Sequence, residues 1–214
     1  MLHRIYTPVL IMLFLSISCL RAGNDLNSIK LIYQSQNSIQ LKFKLDTFYK
    51  VPVHGNDYII RAENATALLQ KGAPDLSKIT ASLIIPQGGN TSIKIISSKF
   101  TDHTNINIAP SKGNLKRNID PKKIPYQYDQ SIYSQDVFFP NLIAEPGKPY
   151  VLRDVRGQSI IIYPFQYNPV TKILRVYSEI EIEIQLSGNA FTQQPMTINN
   201  EFNSLYARHF LNYN

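Results

Sequence analysis

The sequence predicts an all-β chain, an antiparallel β-sandwich of jelly-roll type, with one long basic loop and a short C-terminal helix. Two stretches carry most of that reading. Ile39, Leu41, Phe43 and Leu45 alternate with Gln40, Lys42 and Lys44, which places one apolar row on one face of a strand. Leu174, Val176, Ile180, Ile182, Ile184 and Leu186 face one side of a second strand, with Arg175, Tyr177, Glu179, Glu181, Glu183 and Gln185 on the other. A third observation is the spacing of Gly, Pro and Asn clusters between short strand-like runs, the signature of sandwiches and jelly rolls.

Taken in order, the first 22 residues, "MLHRIYTPVLIMLFLSISCLRA", are laid out as a secretory signal peptide. His3 and Arg4 form the basic start, Val9 to Leu15 the apolar run, and Ser16, Ser18 and Ala22 the small residues that follow. The run is short for a membrane span. Cleavage is expected after Ala22, with Ser18 the next choice and lipidation of Cys19 a third outcome. Cys19 is the only cysteine, so a chain cut after Ala22 has neither a disulfide framework nor a thiolate nucleophile. At 214 residues and 43% hydrophobic content the core is large enough to do without disulfides.

"SLIIP" and "SIKIISSKF" flank the turn-like "QGGN" and read as a hairpin. "ENATALLQKGAPDL" holds a short helix over about 65–70, ended by Gly72 and Pro74. "NINIAP" adds a brief strand. "GQSIIIYPFQY" and "KILRVYSEIEIEIQL" flank "NPVT", where Asn168-Pro169 supplies the turn, and Pro164 marks an edge or a bulge. Phe202, Leu205, Tyr206, His209 and Phe210 recur at helical spacing near the end. The division expected is 1–22 signal peptide, 23–190 sandwich, and 191–214 a linker and helix leading toward a catalytic domain.

Few residues suggest chemistry. His54, in "HGND", reads as a turn residue because no cysteine remains to partner it. The Glu179, Glu181 and Glu183 row reads as a solvated sheet face whose charges are met by lysines on a neighbouring strand. No nucleotide fingerprint, metal-ligand spacing or cofactor motif is present, and no aromatic–basic module suggests nucleic acid. The net charge of +7 fits an acidic partner or an anionic surface.

One segment stands apart. Residues 110–129, "PSKGNLKRNIDPKKIPYQYD", hold Lys112, Lys116, Arg117, Lys122 and Lys123, three prolines and no apolar alternation. Strand-free stretches of that length are uncommon unless they function. The downstream Ile124-Pro125-Tyr126 and the aromatics of "YQYDQSIYSQDVFFP" look like an anchor for its far end.

"PSKGNLKRNIDPKKIPYQYDQSIYSQDVFFP" followed by "RGQSIIIYPFQYNPVTKILRVYSEIEIEI" closely resembles the propeptide of gingipain-type cysteine peptidases. Similar propeptides precede the related sortase of type IX secretion. "GAPDLSKITASLIIP" and "FNSLYARHFLNYN" fit as well, so the resemblance runs from about Gly72 to Asn214, and "PFQYNPVTKILRVY" is its most specific part. It implies an exported, non-catalytic prodomain that packs in cis or in trans on a caspase-like catalytic domain and keeps it latent. It also implies that a basic side chain of an extended loop enters the specificity pocket. Arg117 best matches that residue, with Lys116, Lys122 and Lys123 as the other candidates. The catalytic Cys and His are then expected in a domain after Asn214, and no type IX sorting domain is found. Two other readings stay open: a surface β-domain whose loop binds polyanions, and an enzyme working through Glu181 and its neighbours.

Overall fold

The computed structural model describes residues 28–187 and 200–213. The expected signal peptide and Cys19 lie outside the described residues. In chain order the first strands are β1 Ser28–Gln34, β2 Ser38–Lys44, β3 Tyr49–His54, β4 Asp57–Arg61, β5 Thr66–Ala67 and β6 Ser77–Ile84. The next are β7 Asn90–His103 and β8 Asn107–Ile108, then the short helix α1 Gln130–Tyr133. The chain continues through β9 Ala144–Leu152, β10 Val155–Ile162, β11 Phe165–Asn168 and β12 Ile173–Ser187, and closes with α2 Asn203–His209.

Two sheets face each other. In the five-stranded one β12 is central, paired with β2 and β11 along one edge and with β7 along the other. β1 completes it beside β2. The four-stranded sheet runs β5-β6-β10-β9. A smaller sheet of β3, β4 and β8 contains the parallel pair β4–β8; the other paired strands are antiparallel. The core follows from the alternation. Ile39, Leu41 and Phe43 of β2 and Ile180, Ile182 and Ile184 of β12 are fully buried, packed with Leu83 of β6 and Ile160 and Ile162 of β10. Each such side chain withdrawn from water stabilises the fold by roughly 1.5–3 kcal/mol before entropy is counted.

The polar face of β12 behaves as the alternation predicts. Lys42 Nζ lies 3.1 Å from Glu179 and 2.9 Å from Glu181, and Lys99 lies 3.0 Å from Glu179. Hydrogen bonds from Lys99 and Lys42 hold the Glu179 carboxyl below the usual range. These are cross-strand ion pairs on a solvated sheet, and the third member of the row, Glu183, accepts from Ser38 Oγ at 2.8 Å. His54 likewise ends β3 at a turn containing Gly55, whose φ is +55°.

Three local expectations fail. The hairpin read across "QGGN" does not form: β6 belongs to the four-stranded sheet, and β7 crosses to the other to pair with β12 from Leu174 to Ser187. The long partner offers far more ladder than a local return would. The helix read over 65–70 is also absent. Thr66 and Ala67 pair with Lys78 and Ser77, and Asn64 and Leu69 take positive φ of 56° and 57°. Helical propensity is a weak prior here, because burying Ala65 and Leu68 against the core requires an extended path. Tyr177 is buried rather than exposed on the polar face, its ring edge to face with Phe100 of β7 at 5.5 Å. Its hydroxyl donates to Gln166 Oε1 at 2.8 Å. Pro164, read as an edge or bulge, sits at a corner where the chain leaves β10 in one sheet and enters β11 in the other.

The C-terminal helix forms as its spacing predicts and packs on the sandwich. Tyr206 and Phe210 are buried with Val155, against Ile84 and Tyr150. Beyond it, Leu211 N–H donates to the Ser82 carbonyl (3.0 Å), and the Asn212 amide makes paired bonds to the backbone of Ile84 (2.7 and 3.0 Å). These contacts cover the part of the β6 edge that the two-residue β5 leaves unpaired, a usual safeguard for sheet edges. Gly157 makes the docking possible: a Cβ there would stand 2.5 Å from Phe210 Cε1.

Candidate functional site

Residues 110–129 leave the small sheet after β8 and carry no strand, as the sequence predicts. The neck of this loop is built on Gly72. Its N–H donates to the Ser111 carbonyl (2.9 Å), and its own carbonyl accepts from Asp129 N–H (3.0 Å). One residue thus ties the entry of the loop to its exit. Gly72 has φ +82°, which favours glycine, and a Cβ there would press on Asp129 Cβ at 3.0 Å. Ser111 N–H also donates to the Ala73 carbonyl at 2.7 Å, and Ser111 is buried.

The exit is held by aromatics. Tyr128 Oη donates to Asp57 Oδ2 at 2.5 Å, and Tyr133 Oη to the Ile108 carbonyl at 2.8 Å. The two rings meet edge to face at 4.8 Å. Burial first, then the Asp57 carboxylate, pushes the Tyr128 phenol up to about 12; burial raises Tyr133 further. Both hydroxyls therefore stay protonated as donors. Asp129 caps α1 through Ser131 N–H (3.0 Å), which fixes where the loop ends.

Between these anchors lies the tip. Ile119 N–H donates to the Lys116 carbonyl at 3.0 Å, closing a turn with Arg117 and Asn118 as its central residues. A single 3-10 turn follows at Pro121–Lys123, and Asp120 accepts from Lys122 N–H at 2.9 Å. Lys116, Arg117, Lys122 and Lys123 are all exposed. The four basic residues singled out from the sequence thus share one braced projection. The sequence reading placed the downstream anchor in the right aromatics but gave no role to Asp57, took Gly72 as the end of a helix and Lys112 as one more basic residue of the loop. Asp57 and Gly72 act from elsewhere in the chain, so no local pattern marks them. Among the described residues, no group of three or more His, Cys, Asp or Glu is placed to hold a metal ion, and no helix is long and apolar enough to cross a membrane.

The sequence model of the family Propeptide_C25 matches residues 22–214. The chain belongs to this family. It is a gingipain-type propeptide, an assignment that several relatives support. Gingipain R1 of Porphyromonas gingivalis is 38% identical over 196 residues, and Gingipain R2 is 34% identical over 192. Those alignments take in 87% and 86% of this chain but only 19% and 26% of the relatives. The propeptide therefore spans about a fifth to a quarter of their length. A chain from the complex of Porphyromonas gingivalis RgpB pro- and mature domains superposes with a TM-score of 0.78 at 33% identity, covering 87% of this chain and 98% of that one. A structure addressing zymogenic latency of gingipain K shares the fold, with a TM-score of 0.64 at 20% identity over 76% of this chain and 94% of that one.

Proposed function

We propose that this propeptide keeps an exported gingipain-type cysteine endopeptidase latent by placing the Arg117 side chain in the specificity pocket of its caspase-like catalytic domain. Lys116, Lys122 and Lys123 ring the entrance. The sandwich is the scaffold, contributes no catalytic group and needs no cofactor, and it assists folding of the peptidase before being cut away. The N-terminal signal peptide carries the precursor to the periplasm or the cell surface. The observation that carries the reading is the tip itself: an exposed arginine at the corner of a turn, on a loop whose two ends are tied through Gly72. Such a loop loses little entropy on binding, and a guanidinium binds a pocket carboxylate through two parallel bonds.

The test is direct. Added to a mature gingipain-type peptidase, the chain should suppress hydrolysis of small substrates and hydrolyse none itself. Full peptidase activity at saturating chain, or thiol-inhibitor-sensitive cleavage by the chain alone, would overturn the reading.

The division between loop and framework has its own test. Early cuts by trypsin should fall between Lys112 and Lys123, where exposed residues lie outside the sheet ladders and local opening costs less than in either sheet. Mass spectrometry of the first fragments reads this out. First cuts within 159–186, the centre of both sheets, would show the division to be wrong.

A further inference from the structure

A peptidase takes its substrate extended, with main-chain pairing along the cleft in the manner of an added strand. A basic loop that enters such a cleft is either cut or tolerated, and its backbone shape decides which. Here the Arg117–Asn118 amide is the central bond of a turn, closed by Ile119 N–H on the Lys116 carbonyl at 3.0 Å. Two side chains hold the surrounding ring shut. Asp120 accepts from Lys122 N–H through Oδ1 (2.9 Å) while its carbonyl accepts from Lys123 N–H (3.1 Å), so the chain after the turn bends back at Pro121. Lys112, on the incoming arm, donates from Nζ to the Pro121 carbonyl on the outgoing arm at 2.8 Å. The same ammonium lies 4.1 Å from the centre of the Tyr126 ring, a position where cation and ring attract. Below the brace, Gly113 adopts φ +79°, and a Cβ there would stand 3.0 Å from Lys71 Cβ.

We propose that Lys112 and Asp120 are positioning residues that keep the Arg117–Asn118 bond out of the extended geometry cleavage requires, so that the tip inhibits instead of serving as a substrate. The inference rests on the reading that the tip enters the peptidase cleft. It adds what separates lasting inhibition from a single turnover. The sequence alone suggests the opposite of Lys112, which looks like one more solvated cation of the loop. Hydrolysis by a protease follows the population of the opened form when opening is fast. Loss of one brace contact therefore raises the cutting rate by the factor that contact contributed to closure, about tenfold at the low end for a hydrogen bond with a charged partner.

The variants are Lys112→Met, which keeps the stem over Tyr126 and removes the donor, Asp120→Ala, and Asp120→Asn, which keeps the capping oxygen. Each is made in the full chain and assayed in two ways. The first is the rate of scission at Arg117–Asn118 by trypsin, with products identified by mass and melting temperature recorded alongside. The second is inhibition of a mature gingipain-type peptidase followed over hours. Lys112→Met and Asp120→Ala should be cut about tenfold faster at that bond, with unchanged melting temperature, and Asp120→Asn at the parent rate. Against the peptidase the two fast variants should inhibit at first and then release activity as the loop is hydrolysed. Parent-like trypsin rates in both would overturn the brace, as would Asp120→Asn matching Asp120→Ala. A parent chain that never inhibits, with variants still cut faster by trypsin, would leave the brace standing and remove the inhibitory role instead.

Discussion

Arg117→Ala is expected to weaken inhibition of a mature gingipain-type peptidase by roughly a hundredfold, about 3 kcal/mol. The loss is large because a pocket built for a cation keeps its own buried carboxylate, which the truncated loop leaves unpaired. Arg117→Lys should fall between, since the charge remains but the planar fork does not. Lys94, exposed on β7 outside the loop, serves as control. Its replacement by alanine should change the inhibition constant by less than about 1 kcal/mol, as expected for a charge screened by water. Inhibition constants measured at one ionic strength decide the matter. Equal constants for Arg117→Ala and Lys94→Ala would take Arg117 out of the pocket, and dominance of Lys122 or Lys123 would move the contact a few residues along the same tip.

Why the tip could be picked out from sequence, and its supports could not, follows from where each signal resides. The sandwich is written in period-2 rows. Ile39 to Leu45 and Leu174 to Leu186 each describe a one-sided strand, and both occupy the centre of the five-stranded sheet. The loop is visible by the same measure, as the place where that period stops. Pairing is another matter. Ser82 and Phe100 sit in two runs with the same alternation, and nothing local says that β7 will prefer β12 to β6. That preference is a comparison between ladders, one of which lies some 80 residues downstream. Tyr177 fails for a related reason: the groups that cover it, Phe100 of β7 and Gln166 of β11, come from other strands. The supports of the loop are long-range as well. Asp57 to Tyr128 and Gly72 to Asp129 join residues more than 50 positions apart, and neither an aspartate nor a glycine advertises such a partner. Lys112 is the instructive case: in the sequence it is one basic residue among five, while in the fold its ammonium faces inward on a carbonyl and a ring.

Phe43→Ala should lower the melting temperature by about 10 °C while leaving inhibition at low temperature intact. Phe43 has no solvent exposure and sits mid-strand on β2, opposite Ile29 of β1 on one side and Ile180 of β12 on the other. Truncating a buried phenylalanine removes its transfer free energy and leaves a cavity that rigid neighbouring strands cannot close, about 3–5 kcal/mol together. For a domain of this size each kcal/mol shifts the midpoint by roughly 2–4 °C. Val151→Ala is the matched surface change: Val151 is 66% exposed on β9, and its loss should move the midpoint little. The second half of the expectation comes from the anatomy of the neck. Its ties run through Gly72, Ser111, Asp129 and the Tyr128–Asp57 bond, none of which involves Phe43. Below the transition the folded variant therefore presents the same tip, and its inhibition constant should match the parent's within a factor of about three, the usual margin for distant sites. A parent-like melting curve would mean that β2 is not at the heart of the core. Inhibition lost in step with Arg117→Ala, at a temperature where circular dichroism shows the variant folded, would mean that the sandwich face and not the braced loop makes the decisive contact.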